Sequence, residues 1–194
     1  MRCSGMAARY SNPTFIGASV NGKRGGFKEV LLPGAFRSAV SAKQDAKFLI
    51  NHSPDRLMGS VAAGTLRLRD TNEGLEFEVD FPDSEDARNA YTSIARGDMR
   101  ECSFGFGCED GDDEWSLEQD DDRGRVATRK IRNISKLSDV SAVTYPAYGG
   151  TSVNARFVNR SEIEIPKQFV VEEPETDSVE AIARRRQLLG ISLL

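Results

Sequence analysis

The stretch that decides the fold is LEFEVDF at residues 75–81, where apolar side chains occupy the odd positions and acidic side chains the even ones. Successive side chains of a β-strand point to opposite faces, so strict alternation predicts a strand with one buried and one solvated face. Residues 65–70 form a second strand candidate, and TNEG at 71–74 supplies the turn between the two. We therefore expect an antiparallel hairpin in the middle of the chain.

A helix is expected directly after this hairpin. Ser84 is of a type favoured at the helix N-cap, because its hydroxyl accepts a hydrogen bond from the first turn. Apolar residues then recur at helical spacing, at positions 87, 90, 91, 94 and 95. Gly97 suits the left-handed conformation in which many helices end. The apolar face of this helix would cover the sheet.

Short strand candidates and turn signals continue on both sides of this centre. Residues 14–20 and 27–32 predict a second hairpin across NGKRGG at 21–26, and residues 35–40 predict a short helix. The acidic stretch 109–122 is interpreted as a solvated hairpin tip. Further strand patterns occur at residues 47–52, 99–108, 125–134 and 136–145.

Many short strands with two modest helices predict an α+β fold, mainly an antiparallel closed or nearly closed β-barrel flanked by a few helices. We expect residues 1–13 to form an N-terminal arm and residues 14–160 to form the barrel domain. Residues 161–194 are expected to be a C-terminal tail, helical in part, because the composition shifts there to Glu, Pro and Lys.

Composition excludes several classes of function. The formal net charge of −4 provides no basic field to neutralise phosphates, so no nucleic-acid partner is expected. No apolar run reaches the roughly 18 residues of a membrane span, and residues 1–6 lack a secretory signal, so we expect a cytoplasmic protein without a membrane partner. The cysteines at 3, 102 and 108 fit neither a disulfide framework nor a zinc site. No metal or cofactor is expected.

The candidate proton acceptor is His52, the only histidine of the chain. Histidine is the side chain whose ordinary pKa suits proton exchange near neutral pH, although a lone histidine is more often structural than catalytic. A serine at 103 lies in ECSFGFG. Because alternate residues of a strand share a face, this parity places Cys102 on the same core-facing side as Phe104 and Phe106. Ser103 then shares the opposite face with two glycines, where an extended peptide could approach it. In the alternative, purely structural interpretation, the glycines mark a β-bulge and the serine only faces solvent.

A catalytic imidazole needs a third group that fixes its tautomer. Asp139 is the leading candidate, since it is an acid inside the strand-like sequence KLSDVS at 136–141. The alternative is an acid at a strand edge that forms a salt bridge. Asp55, close to the histidine in sequence, and Glu101, close to the serine, are weaker candidates.

Six short motifs occur in an order that resembles the prohead maturation proteases of tailed phages, over roughly residues 14–158. They are LPGAF at 32–36, NHSPDRLMG at 51–59, GL at 74–75, SFGF at 103–106, LSDVS at 137–141 and YPAY at 145–148. The resemblance implies a serine endopeptidase related in fold to the herpesvirus assemblins, with His52 as the catalytic histidine and Ser103 as the nucleophile. The family more often has Glu where Asp139 stands, and the assemblins use a second histidine there.

The resemblance also implies partners and a location. The protease barrel domain would cleave the major capsid protein, with its scaffolding segment, inside the assembling prohead in the host cytoplasm. The portal is a further expected partner, the tail is a candidate for removal by self-cleavage, and relatives suggest a homo-oligomer, a dimer or higher. The competing hypothesis is a non-catalytic scaffold or capsid-assembly protein with the same barrel, which needs no proton transfer.

Overall fold

The computed structural model describes residues 1–20, 23–144, 153–155 and 165–170. The described strands form three separate sheets, with two α-helices in the connections and a short 3₁₀ helix at Lys167–Phe169. In chain order the elements are β1 (Arg2–Arg9), β2 (Thr14–Val20), β3 (Lys23–Leu31), α1 (Arg37–Ser41), β4 (Lys47–Ile50), β5 (Ser53–Ser60), β6 (Leu66–Asp70), β7 (Gly74–Asp80), α2 (Glu85–Arg96), β8 (Glu101–Gly107), β9 (Asp113–Asp120), β10 (Gly124–Ile131), β11 (Lys136–Val143) and β12 (Val153–Ala155).

The first sheet has the strand order β1-β7-β6 and contains the predicted central hairpin. The odd residues of β7 are buried, with Leu75 and Val79 inaccessible to solvent. Its acidic residues lie on the other face, where Glu78 accepts a 2.8 Å hydrogen bond from Arg67 of β6. The alternating pattern of this stretch is thus confirmed. On the far side of β7 lies β1, which occupies most of the segment assigned to an N-terminal arm.

The second sheet has the order β2-β3-β10-β9. The predicted hairpin of β2 and β3 is present, and β3 continues the sheet by pairing in parallel with β10. The acidic stretch predicted as a hairpin tip is mostly strand β9, which pairs along its length with β10. The hairpin-tip interpretation is right only for the β9–β10 turn that begins at residue 121, and it is wrong for β9 itself. Basic side chains of the same sheet face the acids of this strand. Lys130 of β10, for example, forms an ion pair with Glu118.

The third sheet has the order β12-β8-β11-β4-β5 and carries the candidate site. Strand β11 lies between β8, to which it is antiparallel, and β4, to which it is parallel. Strand β12 pairs in parallel with the other edge of β8. The middle of β11 is therefore paired on both sides, which holds its side chains in a fixed register.

The predicted closed or nearly closed barrel, and with it the assemblin-like architecture, is wrong. The three sheets are open. The second and third are also mixed, because parallel pairings join β3 to β10, β4 to β11 and β12 to β8. Alternation with one buried face is compatible with a barrel wall or with open sheets that cover a common core. Only the pairing of strands that are distant in sequence distinguishes the two architectures.

The main core lies between the sheets and under the helices, with Phe36, Phe48 and Phe104 almost completely buried. Helix α2 begins after the predicted N-cap Ser84, whose Oγ accepts from the Ala87 amide at 3.3 Å. It ends at Gly97 with φ of 81°. Most of the predicted tail, including its helical part, lies outside the described residues.

Candidate active site

Two neighbouring strands of the third sheet bring three polar residues to one face. Asp139 and Ser141 are two residues apart on β11, so their side chains point the same way. Across the strand pair, Ser141 lies opposite Ser103 of β8, and Asp139 lies opposite Gly105. The glycine has no side chain to occupy the space beside the carboxylate. All three polar side chains are buried.

His52 reaches this face from the turn between β4 and β5. Asn51 and His52 both have φ of 55°, in the left-handed region that non-glycine residues seldom adopt. The strand predicted for residues 47–52 therefore ends at Ile50. The Asn51 amide donates to the Ala142 carbonyl at 2.8 Å, and its side-chain oxygen accepts from the Thr144 amide at 2.8 Å. These bonds attach the turn to the end of β11.

The imidazole of His52 is hydrogen-bonded to the carboxylate of Asp139. The distance from Nδ1 to Oδ1 is 2.7 Å, and the two side chains are 13% and 10% exposed. An ionised carboxylate only accepts hydrogen bonds, so Nδ1 carries the shared proton and Nε2 of the neutral ring is left as an acceptor. Of the three acids considered from sequence, Asp139 is the one the structure brings to the histidine.

Ser141 completes this cluster, although the sequence pattern did not single out its side chain. Its hydroxyl donates to Asp139 Oδ1 at 2.6 Å and lies 3.3 Å from His52 Nδ1. The sequence feature that could have identified Ser141 is its position two residues after Asp139 in the same predicted strand, which places both side chains on one face.

Ser103 lies on the same face but makes no hydrogen bond within the described residues. Its Oγ and the Nε2 of His52 are both buried and both lack a partner among them. Buried polar atoms are nearly always hydrogen-bonded, so each exception needs an explanation, and a catalytic role is one of them. Ser103 is only 1% exposed, so it does not lie on the open surface that strand parity suggested. Asn154 of β12 is aligned opposite it on the outer edge of β8.

The remaining candidates lie outside this cluster. Asp55 is exposed on β5, and Glu101 is half-buried at the start of β8. Cys102, next to the serine, packs against the core, as parity predicted. Burial raises the pKa of its thiol to about 12, so the reactive thiolate is scarce at neutral pH.

The described residues contain neither a metal-binding cluster nor a membrane-spanning helix. No group of histidine, cysteine and acidic side chains there is arranged to hold a metal ion. No helix in the same part of the chain is long and apolar enough to cross a membrane.

A carboxylate, an imidazole and a serine hydroxyl are the three groups that serine hydrolases combine. A family model described as caudovirus prohead serine protease matches residues 5–167 of the 194-residue chain. The chain belongs to this family, and so to the serine proteases of phage capsid maturation. No curated protein and no solved structure matches it significantly.

Proposed function

We propose that this chain is a serine endopeptidase in which Ser103 is the nucleophile, His52 the general base and Asp139 the group that orients the histidine. One observation carries the proposal. The 2.7 Å bond to Asp139 occupies His52 Nδ1, while His52 Nε2 and Ser103 Oγ are buried and have no hydrogen-bond partner among the described residues. The acceptor and the donor belong to residues that both neighbour Ser141, since Ser103 is its strand partner and its hydroxyl lies 3.3 Å from His52 Nδ1. Family membership supports the same chemistry.

The proposed reaction follows from these three groups. His52 Nε2 removes the Ser103 proton as Oγ bonds to the peptide carbonyl carbon, and the imidazolium then gives that proton to the leaving amine. Water hydrolyses the acyl-enzyme by the same steps with His52 again as base. Asp139 stabilises the imidazolium, because its carboxylate accepts a hydrogen bond from His52 Nδ1–H in every step of the reaction.

The proposed substrate is the major capsid protein with its scaffolding segment, cleaved inside the assembling prohead in the host cytoplasm. The support is the family description, since a prohead protease acts where capsid and scaffold proteins assemble. Interaction with the portal, cleavage of the chain's own tail and assembly as a homo-oligomer are finer parts of the same proposal.

The first test is co-expression of the capsid protein with wild type, Ser103→Ala or Ser138→Ala. Ser138 is a matched control, because it lies on β11 as well but outside the cluster. Site-specific cleavage should persist with wild type and Ser138→Ala and disappear with Ser103→Ala. Unchanged cleavage by Ser103→Ala would refute the assignment. A non-catalytic assembly protein would leave the capsid protein uncut with all three.

A second test identifies both proposed groups in one measurement. A serine-directed phosphonate should label Ser103 in the wild type, as located by peptide mapping. Labelling should be lost in His52→Ala, because the hydroxyl then has no base to remove its proton. Equal labelling of Ser103 without His52 would show that the histidine is not the base.

A further inference from the structure

We propose that Ser141 is a positioning residue that holds Asp139 and His52 in the geometry needed for proton transfer, an inference that rests on the proposed function. Its hydroxyl lies in a triangle with Asp139 Oδ1 at 2.6 Å and His52 Nδ1 at 3.3 Å, and those two atoms are 2.7 Å apart. No other serine among the described residues makes a hydrogen bond to either side chain.

The donors and acceptors of this triangle can all be matched. The Ser141 hydroxyl donates to Asp139 Oδ1, and the Nδ1–H group of His52 donates to that same carboxylate oxygen. One carboxylate oxygen therefore accepts from both a hydroxyl and an imidazole. A buried carboxylate requires such donors, because it has lost its hydrogen bonds to water.

The position of Ser141 makes it a rigid support. It is fully buried, and β11 is paired there with both Ser103 of β8 and Leu49 of β4. A hydroxyl on a fixed backbone prevents rotation of the Asp139 carboxylate, and the carboxylate in turn fixes the imidazole plane. The direction of Nε2 then depends on Ser141, although Ser141 would touch neither the substrate nor the transferred proton.

The kinetic test compares Ser141→Ala and Ser141→Cys with the control Ser138→Ala. The cysteine variant is slightly larger than serine and leaves no cavity, but it replaces the hydroxyl by a weak donor, so it reports on the hydrogen bond even if the smaller alanine impairs folding. We expect kcat to fall about 10- to 100-fold in both variants with KM nearly unchanged, since only orientation is lost. Wild-type kcat in the folded cysteine variant would overturn the inference.

A second readout needs no activity and would not respond to a merely structural role. His52 is the only histidine, so ¹⁵N-histidine labelling of the untagged protein reports a single imidazole. In a Ser103→Ala background, we expect the ¹⁵N shifts to show a proton fixed on Nδ1, and Ser141→Cys to give a mixture of tautomers. Identical spectra would overturn the inference. Failure of the proposed function is distinguishable, because it would appear as unlabelled Ser103 in wild type treated with the phosphonate.

Discussion

Two clusters in this molecule bury charged side chains, and they differ in whether the polar atoms of the cluster have hydrogen-bond or ion-pair partners. A cluster in which they do is called matched. In the second sheet, Arg129 donates to Glu29 at 3.3 Å and to Asp113, with 9% and 3% exposure for the Arg129 and Glu29 side chains. In the third sheet, Asp139 is hydrogen-bonded to His52 and Ser141, but His52 Nε2 and Ser103 Oγ have no partner in the part of the chain that the structure describes. A matched cluster stabilises the fold, whereas an unmatched donor and acceptor are available for chemistry.

The largest effect should come from Ser103→Ala, which separates activity from stability. We expect kcat to fall by about 10⁴- to 10⁶-fold, as happens when a nucleophile that works with a base is removed. The free energy of unfolding should stay the same or rise by up to about 1 kcal/mol, because the variant removes a buried hydroxyl that has no partner among the described residues. Denaturant unfolding and a peptide-cleavage assay measure the two. Clear destabilisation would mean that the serine is structural.

The opposite outcome is expected for Arg129→Met in the matched cluster. Removing one partner of a buried ion pair costs about 3–5 kcal/mol, since Glu29 and Asp113 lose the guanidinium. The folded fraction should keep its kcat, because this cluster belongs to another sheet. Arg132→Met is the control, since the Arg132–Glu114 pair is 53% and 59% exposed and should contribute less than about 1 kcal/mol. Equal losses for both arginines would contradict the comparison.

A smaller effect is expected at the turn that carries the histidine. Asn51→Ala and Asn51→Gly both remove the side-chain bonds to Thr144, but only alanine opposes the φ of 55°. We expect alanine to cost about 1 kcal/mol more than glycine in the free energy of unfolding. Equal cost would show that the backbone conformation of the turn is not under strain.

The smallest effect concerns the thiols beside the two regions. Cys102 adjoins Ser103, and Cys108 experiences the charge of Arg129, yet burial raises the pKa of each to about 12. A raised pKa leaves less thiolate at a given pH, so alkylation at pH 8 should be much slower than for an unfolded control. Mass spectrometry of iodoacetamide-treated protein checks this. Rapid alkylation of Cys102 would make it a rival nucleophile.

The sequence allowed prediction of features whose cause is local. The alternation of residues 75–81 and the caps at Ser84 and Gly97 involve neighbours within a few residues, and the structure confirms them. The prediction from strand alternation that Phe104 and Phe106 face the core is confirmed as well.

What the sequence did not show depends on distant pairing. His52 and Asp139 are 87 residues apart and meet because β4 and β11 pair in parallel. No periodic pattern reports such a pairing, so the barrel was expected in place of three sheets. Ser103 was predicted to face an open surface for the same reason, since neither the depth of the cluster nor the pairing of β12 with β8 is encoded locally.

The pairing of Ser103 with Ser141 also has a consequence for timing. A shift of one residue between β8 and β11 would turn Ser103 towards the apolar side, and without β4 in place His52 would be absent from the cluster. Contacts between segments so far apart in the chain form slowly during folding. With the proposed roles of His52 and Ser103, a newly made chain would cut nothing until β4, β8 and β11 have paired, so its own folding delays the first cleavage.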